Sequence, residues 1–459
     1  MKMSKEILSG QVELFNQKFN FDFHDDILTV YVSKELLEDL LYFNHGNGMK
    51  TLSEKKELPS DYIYGVTNIN QEIIFNINKE YYSVDSFIPM KSIHRLYIPV
   101  QKYMKHIGHS DNKENVLYIY SNSLKYIFNF IPYYNRKENE DKAASTFEIT
   151  INQKNSFEKT HFEINGINYT MKPTFNMTWG YDMFSHLPGI SIKIDNLNSK
   201  EEVIKIYDSI CNTIKFLHLR KNLAFSDVQF IHNGNKYAIY SKETDIKEDD
   251  DRYYINNPSV AKWEHVSKNI GNIVNYFYDN SNPLLLSLFF NDVKERFGYS
   301  LETFQKEASV FENIFREVFP NLSSSPESEF DKELIRRKMD NEILLYTGRK
   351  KDIYNYLKSQ VGHVPLSAKI LHCLKFFSSS LQEFNKYSGF TDQDYILISE
   401  ENAGIRNGVD HGKDEKKIDK NNVDKLIYLR VLIIVLYYYN WGYSLEEIKH
   451  IISDLYNIK

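Results

Sequence analysis

The chain has 459 residues, enough for about three domains, or two large ones, at roughly 150 residues each. It is 42% hydrophobic and 26% charged, a globular composition, and its 62 acidic and 56 basic side chains leave a net charge of −6. That balance excludes a uniformly basic nucleic-acid coat but not a local basic patch, and two cysteines, Cys211 and Cys373, exclude a disulfide scaffold and a cysteine-built zinc site.

The opening residues, MKMSKEILSG, contain no apolar signal core, so no export is expected and a reducing, cytoplasmic setting is. The first half then reads as strands. Ile27–Val32, Val116–Tyr120, Tyr126–Ile131 and Phe147–Ile151 are short runs of β-branched and aromatic residues. Asn165-Gly166 between Phe162–Ile164 and Ile167–Tyr169 predicts a two-residue hairpin turn, because that pair accepts the positive φ such a turn requires. Asn233-Gly234, between Val228–Ile231 and Tyr237–Tyr240, predicts a second. One helix interrupts the strands: Ser199 and Glu202 have capping-box spacing, and Val203, Tyr207, Ile210, Ile214 and Leu217 follow at helical intervals. The expected N-terminal unit, residues 1–245, is an antiparallel β-sandwich with a packed helix.

The charged stretch 242–252 reads as an exposed linker, and from Pro258 the period changes to 3.6. Phe304, Ala308, Phe311, Phe315 and Val318 share a helix face. PNLSSSP (320–326) is a break. Leu366, Ile370, Leu374, Phe377, Leu381 and Phe384 form the seam of a bundle helix. Leu426–Tyr439, interrupted by Arg430, is shorter than the about 20 apolar residues a bilayer needs and predicts a buried helix. Ser444 and Glu447 form a capping box ahead of Ile448, Ile451 and Leu455. Residues 258–459 are therefore expected to be an all-α bundle, and the whole an α+β chain in two parts.

Several motifs carry no chemistry. His45-Gly-Asn-Gly48 lacks the spacing and lysine of a phosphate loop, and there is no G-x-G-x-x-G or G-x-S-x-G. His106 and His109 lack a third metal ligand, His363 and His372 read as helix-border residues, and Cys373 reads as core. The segment from Gly404 to Lys413 is different. Arg406 brings a permanent charge and a planar fork suited to phosphate oxygens, and His411 can accept or donate a proton at neutral pH. Beside a ribose, such a histidine can take the 2′-OH proton or protonate the leaving 5′ oxygen, while the arginine stabilises charge on the phosphoryl group. Asn407 can hold the phosphate or orient the imidazole. Glycines 404, 408 and 412 suggest backbone that leaves the helix to approach a substrate. An Arg followed by a His at this distance is a weak pattern, with about one chance match expected in a chain of this size, so its weight lies in this context.

The segment resembles the signature of HEPN domains (higher eukaryote and prokaryote nucleotide-binding): Arg406, a polar Asn407, and His411 after four intervening residues. The joining of a β-rich half to such a bundle resembles ApeA-type anti-phage proteins. The resemblance implies a HEPN core at about 300–457, metal-independent endoribonuclease activity leaving 2′,3′-cyclic phosphate ends, no cofactor, and a homodimer whose two motifs share one site. It implies a role as toxin or abortive-infection effector in antiviral defence, acting on RNA (tRNA among the candidates), with a phage-derived trigger or an antitoxin as further partner. Arg406 would neutralise the scissile phosphate, His411 would be the general acid/base, and Asn407 would assist. Lys413, Lys416 and Lys417, with Arg336 and Arg337, are candidate RNA-backbone contacts; Lys338 and the Arg349–Lys351 cluster add positive charge. Two other readings remain open. One is a non-catalytic interaction module whose bundle only dimerises; the other is a ligand-binding β half on an oligomerisation stalk.

Overall fold

The structure, a computed structural model, describes residues 7–46, 49–55, 57–77, 79, 81–88, 91–128, 159–179, 184–241, 259–280, 284–291, 299–322, 329–360, 364–410, 418 and 422–458. The chain divides into two compact units: residues 1–214, 222–250 and 274–279 form the first, and residues 215–221, 251–273 and 280–459 the second. The first is β-rich and the second helical, so the α+β organisation in two parts holds.

The strands of the first unit are β1 (Leu8–Leu14), β2 (Gln17–His24), β3 (Ile27–Val32), β4 (Leu41–Gly46), β5 (Met49–Lys55), β6 (Tyr62–Thr67), β7 (Glu72–Ile77), β8 (Tyr82–Ile88), β9 (Lys91–His109), β10 (Val116–Tyr120), β11 (Thr160–Ile164), β12 (Ile167–Trp179), β13 (Phe184–Ile194), β14 (Asp227–His232) and β15 (Asn235–Ser241). Helices α1 (Lys34–Leu40), α2 (Leu124–Phe128) and α3 (Lys200–His218) lie between them. The expected sandwich is instead a closed barrel that runs on into an open sheet. β9 spans 19 residues, enough for different partners along its length. It pairs with β3 over His94–Pro99 and with β7 over Val100–Lys105, so the ladder β9-β3-β2-β1-β6-β7 returns to β9. Over Lys102–His109 the same strand carries β15, and the sheet continues through β14, β10, β13 and β12 to β11.

Alternation explains the barrel interior. Phe21 and Phe23 are two apart, point the same way, and meet Phe75 at ring distances of 5.5 and 5.4 Å, with Tyr103 5.1 Å from Phe23. Leu28, Val30, Leu96 and Ile98 fill the rest, as expected of a small barrel packed with side chains. Gly10 permits the closest strand approach: a Cβ there would lie 2.1 Å from the Val66 carbonyl oxygen. Both Asn-Gly turns form as expected, with φ of 50° and 78° at 165–166 and 49° and 81° at 233–234. α3 buries Val203, Tyr207, Ile210, Ile214 and Leu217. Its first residue, Lys200, binds Glu72 at 2.6 Å and Tyr237 at 2.9 Å, while Glu202 accepts from Tyr169 and Tyr278.

One strand expectation is corrected. Tyr126 to Phe128 belong to the short helix α2, not to a strand. Ser121 starts a turn, its carbonyl accepting from the Leu124 amide and its hydroxyl from the Ser123 amide, and this coils the apolar run. Phe147–Ile151, the 242–252 linker and Pro258 lie outside the described residues.

The helices that follow are α4 (Trp263–Val266), α5 (Ile270–Asp279), α6 (Leu301–Val318), α7 (Glu329–Leu345), α8 (Arg349–Gln360), α9 (Leu366–Phe376), α10 (Gln382–Ser388), α11 (Tyr395–Asp410), α12 (Val423–Asn440) and α13 (Leu445–Tyr456). α12 is apolar around its circumference and is buried from Tyr428 to Tyr438, as such a helix must be. It packs on α6 and is flanked by α9, α11 and α13. α6 presents Phe304, Ala308, Phe311 and Phe315, each at most 2% exposed. The seam from Leu366 to Phe384 is wholly buried but is not one helix. It breaks between α9 and α10, where Ser380 turns its hydroxyl to the Leu445 carbonyl at 2.7 Å. The capping box of Ser444 and Glu447 forms as expected. Among the described residues no helix is long and apolar enough to cross a membrane.

Candidate functional site

Arg406 lies on α11, which runs unbroken from Tyr395 to Asp410 and ends one residue before His411. The expectation that Gly404 and Gly408 release the backbone is thus corrected. The two glycines cost about 1 kcal/mol each relative to alanine in a helix, and burial of Ile398, Asn402 and Ile405 along one face outweighs this. Asn402 is fully buried and donates to the carbonyls of Ile398 at 2.8 Å and Lys425 at 3.0 Å. That second bond ties the middle of α11 to the first turn of α12. A buried hydrogen-bond chain from Ser388 to Tyr428, Asn385 and Tyr395 fixes the N-terminal end of α11.

Three helices converge on Arg406. Its Nη1 lies 2.7 Å from Oε1 of Glu312 on α6, and the same oxygen receives Nζ of Lys369, on α9, at 3.3 Å. Glu312 is 15% exposed, Lys369 7% and Arg406 31%, so the arginine is the member of the group that faces solvent. Burial alone would raise the Glu312 carboxyl. Arg406 and Lys369 outweigh it and hold the group below the usual carboxylate range. Among the described residues, Glu312 thus joins Arg406 of α11 to Lys369 of α9.

A second charged pair lies deeper in the same unit. Glu307 is fully buried, and Nε of Arg430 reaches its Oε1 at 2.6 Å. Tyr299 donates to the other carboxylate oxygen, and the guanidinium lies 4.6 Å from the Phe290 ring centroid. This pair explains the arginine inside the apolar run of α12.

The remaining candidate residues divide clearly. His411, Lys413, Lys416 and Lys417 lie outside the described residues, as do Gly412 and His363. Asn407 is on α11, with its side chain outside the described part. Arg336 and Arg337 are on α7, which packs along α8, where the Arg349–Lys351 cluster begins. Arg337 is paired with Glu333 at 3.1 Å on an exposed surface. His106 and His109 stand side by side on β9 with ring centroids 5.4 Å apart, and His372 packs edge-on against Phe319. Cys373 is buried, as expected.

Sequence reasoning missed Glu312, Lys369 and Asn402. Signals existed for the first two. Glu312 follows Ala308 by four on the apolar stripe of α6, and Lys369 follows Leu366 by three on the seam. Each is a charge on a face that packing buries, and a buried charge requires a partner. No protein-family model, curated protein or solved structure matches this chain.

Proposed function

We propose that this protein is a metal-independent endoribonuclease of the HEPN type that acts in bacterial anti-phage defence. The observation that supports this reading best is the setting of Arg406. A partly exposed guanidinium in the last turns of α11, immediately before His411, is held by the largely buried carboxylate of Glu312 on α6, in a unit built of packed helices. In this reading Arg406 binds and neutralises the scissile phosphate. His411 removes the 2′-OH proton, the 2′ oxygen attacks phosphorus, and the 5′ oxygen departs with a proton, leaving a 2′,3′-cyclic phosphate and a 5′-hydroxyl. Asn407 assists, and a homodimer brings two motifs to one site. The basic residues of α7 and α8 and Lys413, Lys416 and Lys417 contact the RNA backbone, and the barrel unit senses a phage component or restrains the nuclease.

The test is incubation of the full-length protein with total bacterial RNA and a tRNA pool in excess EDTA, beside Arg406→Ala and His411→Ala. Cutting that persists in EDTA and disappears in both variants supports the reading; equal cutting by all three proteins refutes the site. A second reading, a non-catalytic interaction module, is favoured by the apolar side chains on the α7–α8 pair, where Leu344 is 83% and Leu345 72% exposed. It predicts that His411→Ala changes no phenotype, whereas charged residues at 344 and 345 abolish association.

A further inference from the structure

A cavity of about 440 Å³ opens in the helical unit, where the first turns of α6 meet residues 287–291 and Lys221. Arg406, Glu312 and Lys369 are not among the residues that line it. Its volume falls in the range of small-molecule sites, about 300–1,000 Å³. Its apolar wall is set by the fold. The Lys221 amide donates to the Phe290 carbonyl at 2.7 Å and the Phe290 amide to the Leu219 carbonyl at 3.1 Å, so Lys221 and the buried Phe289 and Phe290 are fixed to one backbone bridge. The Arg430 guanidinium lies 4.6 Å from the Phe290 ring centroid and 5.2 Å from that of Tyr299, and so holds two of the lining rings. The polar lining has donors to spare. Lys221 is partly exposed, and among the described residues its ammonium makes no ion pair and no hydrogen bond. Lys306 differs, because Glu302 one turn earlier accepts from it at 2.6 Å. Ser300 and Thr303 share one hydroxyl–hydroxyl bond at 2.9 Å, which uses one of their two hydrogens. Ser287 gives its hydrogen to the Leu284 carbonyl, and Tyr299 gives its own to Glu307. No carboxylate is among the described lining residues. Three N–H groups of Lys221 and one hydroxyl therefore face the cavity's ligand without a protein acceptor, beside an apolar wall.

We propose that this cavity binds a small phosphate monoester with a planar apolar body. Lys221 and the hydroxyl pair of Ser300 and Thr303 take the phosphate, and Phe289 and Phe290 take the body. A phosphate monoester carries about −1.5 to −2 charges at pH 7 and three terminal oxygens, so it uses these donors more fully than a carboxylate, which has two oxygens and one charge. The site stands independently of the nuclease reading, since it uses neither Arg406 nor His411.

The test is titration calorimetry of the full-length protein at low ionic strength with three probes: 1-naphthyl phosphate, 1-naphthoate and inorganic phosphate. One equivalent of 1-naphthyl phosphate per chain is expected to bind. Naphthoate, which lacks the third oxygen and the second charge, and inorganic phosphate, which lacks the apolar body, are each expected to bind about tenfold more weakly. Lys221→Met is expected to weaken naphthyl phosphate about tenfold, and Lys221→Arg, which keeps the charge, to stay within about threefold of wild type. Lys306→Met should cost less than Lys221→Met, because Glu302 already engages that lysine. Should Lys221→Met fail to fold, Ser287→Phe decides. Its added ring takes up cavity volume and leaves both lysines in place, so binding lost in the folded variant supports the site and wild-type affinity overturns it. No binding of naphthyl phosphate by the unmodified protein overturns the proposal, as does wild-type affinity in a folded Lys221→Met. Naphthoate bound as tightly as naphthyl phosphate overturns the phosphate assignment, and inorganic phosphate bound as tightly overturns the role of the two phenylalanines.

Discussion

Replacing Arg430 by methionine is the sharpest test of what holds the helical unit together. Methionine fills much of the same volume but leaves the Glu307 carboxylate fully buried with, among the described residues, the Tyr299 hydroxyl as its remaining hydrogen-bond partner. Burial already raises the Glu307 carboxyl above its usual range, with Arg430 and Tyr299 pulling the other way, so losing the arginine strands a charge or forces protonation. Removing one partner of such a pair costs about 3–5 kcal/mol. At about 2–4 °C per kcal/mol for a unit of this size, melting falls by about 6–20 °C. The double variant Glu307→Leu with Arg430→Met removes both charges, and replacement of a buried pair by apolar groups is often neutral or stabilising. It should therefore recover most of the single variant's loss. Circular dichroism at 222 nm during heating and in urea measures this, because α6 and α12 both belong to the helical unit. A single-variant loss below about 1 kcal/mol, the value of an exposed pair, would show that the charges are not held in an apolar interior. A double variant no better than the single would show that packing, not charge, sets the cost.

Two further outcomes follow from the geometry. The hydrogen bond to Asp454 at 2.7 Å holds His265 above the usual histidine range, aided by the charges of Asp454 and Glu264 and opposed by burial and Lys262, with the His450 ring stacked alongside. A raised folded-state value gives stability that is full below about pH 6.5 and is lost as pH rises through the folded value, so melting of wild type and His265→Gln should differ most at acid pH and converge as pH rises above it; a pH-independent gap would refute the assignment. Gly10→Ala puts a Cβ 2.1 Å from the Val66 carbonyl oxygen, and a backbone atom cannot swing aside. The expected loss is about 1–3 kcal/mol with opening of the β1–β6 pairing, read by urea unfolding and amide exchange at Val66 and Thr67, and unchanged exchange there would refute it.

Features fixed by neighbours in sequence were legible. Asn165-Gly166 and Asn233-Gly234 name their own turns, and the box of Ser444 and Glu447 names its helix start, because each depends on a few adjacent residues. Barrel closure was not legible. It rests on Ile73 opposite Lys105 and Ile27 opposite Pro99, pairings between distant segments that leave no local mark. Two of its hairpins turn at Phe15-Asn16 and Asp25-Asp26, left-handed pairs without glycine, which hide the usual signal. The run at Tyr126 shows the limit of periodicity, since a short, wholly apolar stretch fits a buried strand and a buried helical turn equally well. The seam was right in its face and wrong in its continuity, because burial fixed the six apolar positions while the backbone breaks where Ser380 bonds the Leu445 carbonyl, a long-range contact that periodicity does not register. At the site, Arg406 was legible from residue type and spacing, but its partners come from α6 and α9, so only the fold brings them to it.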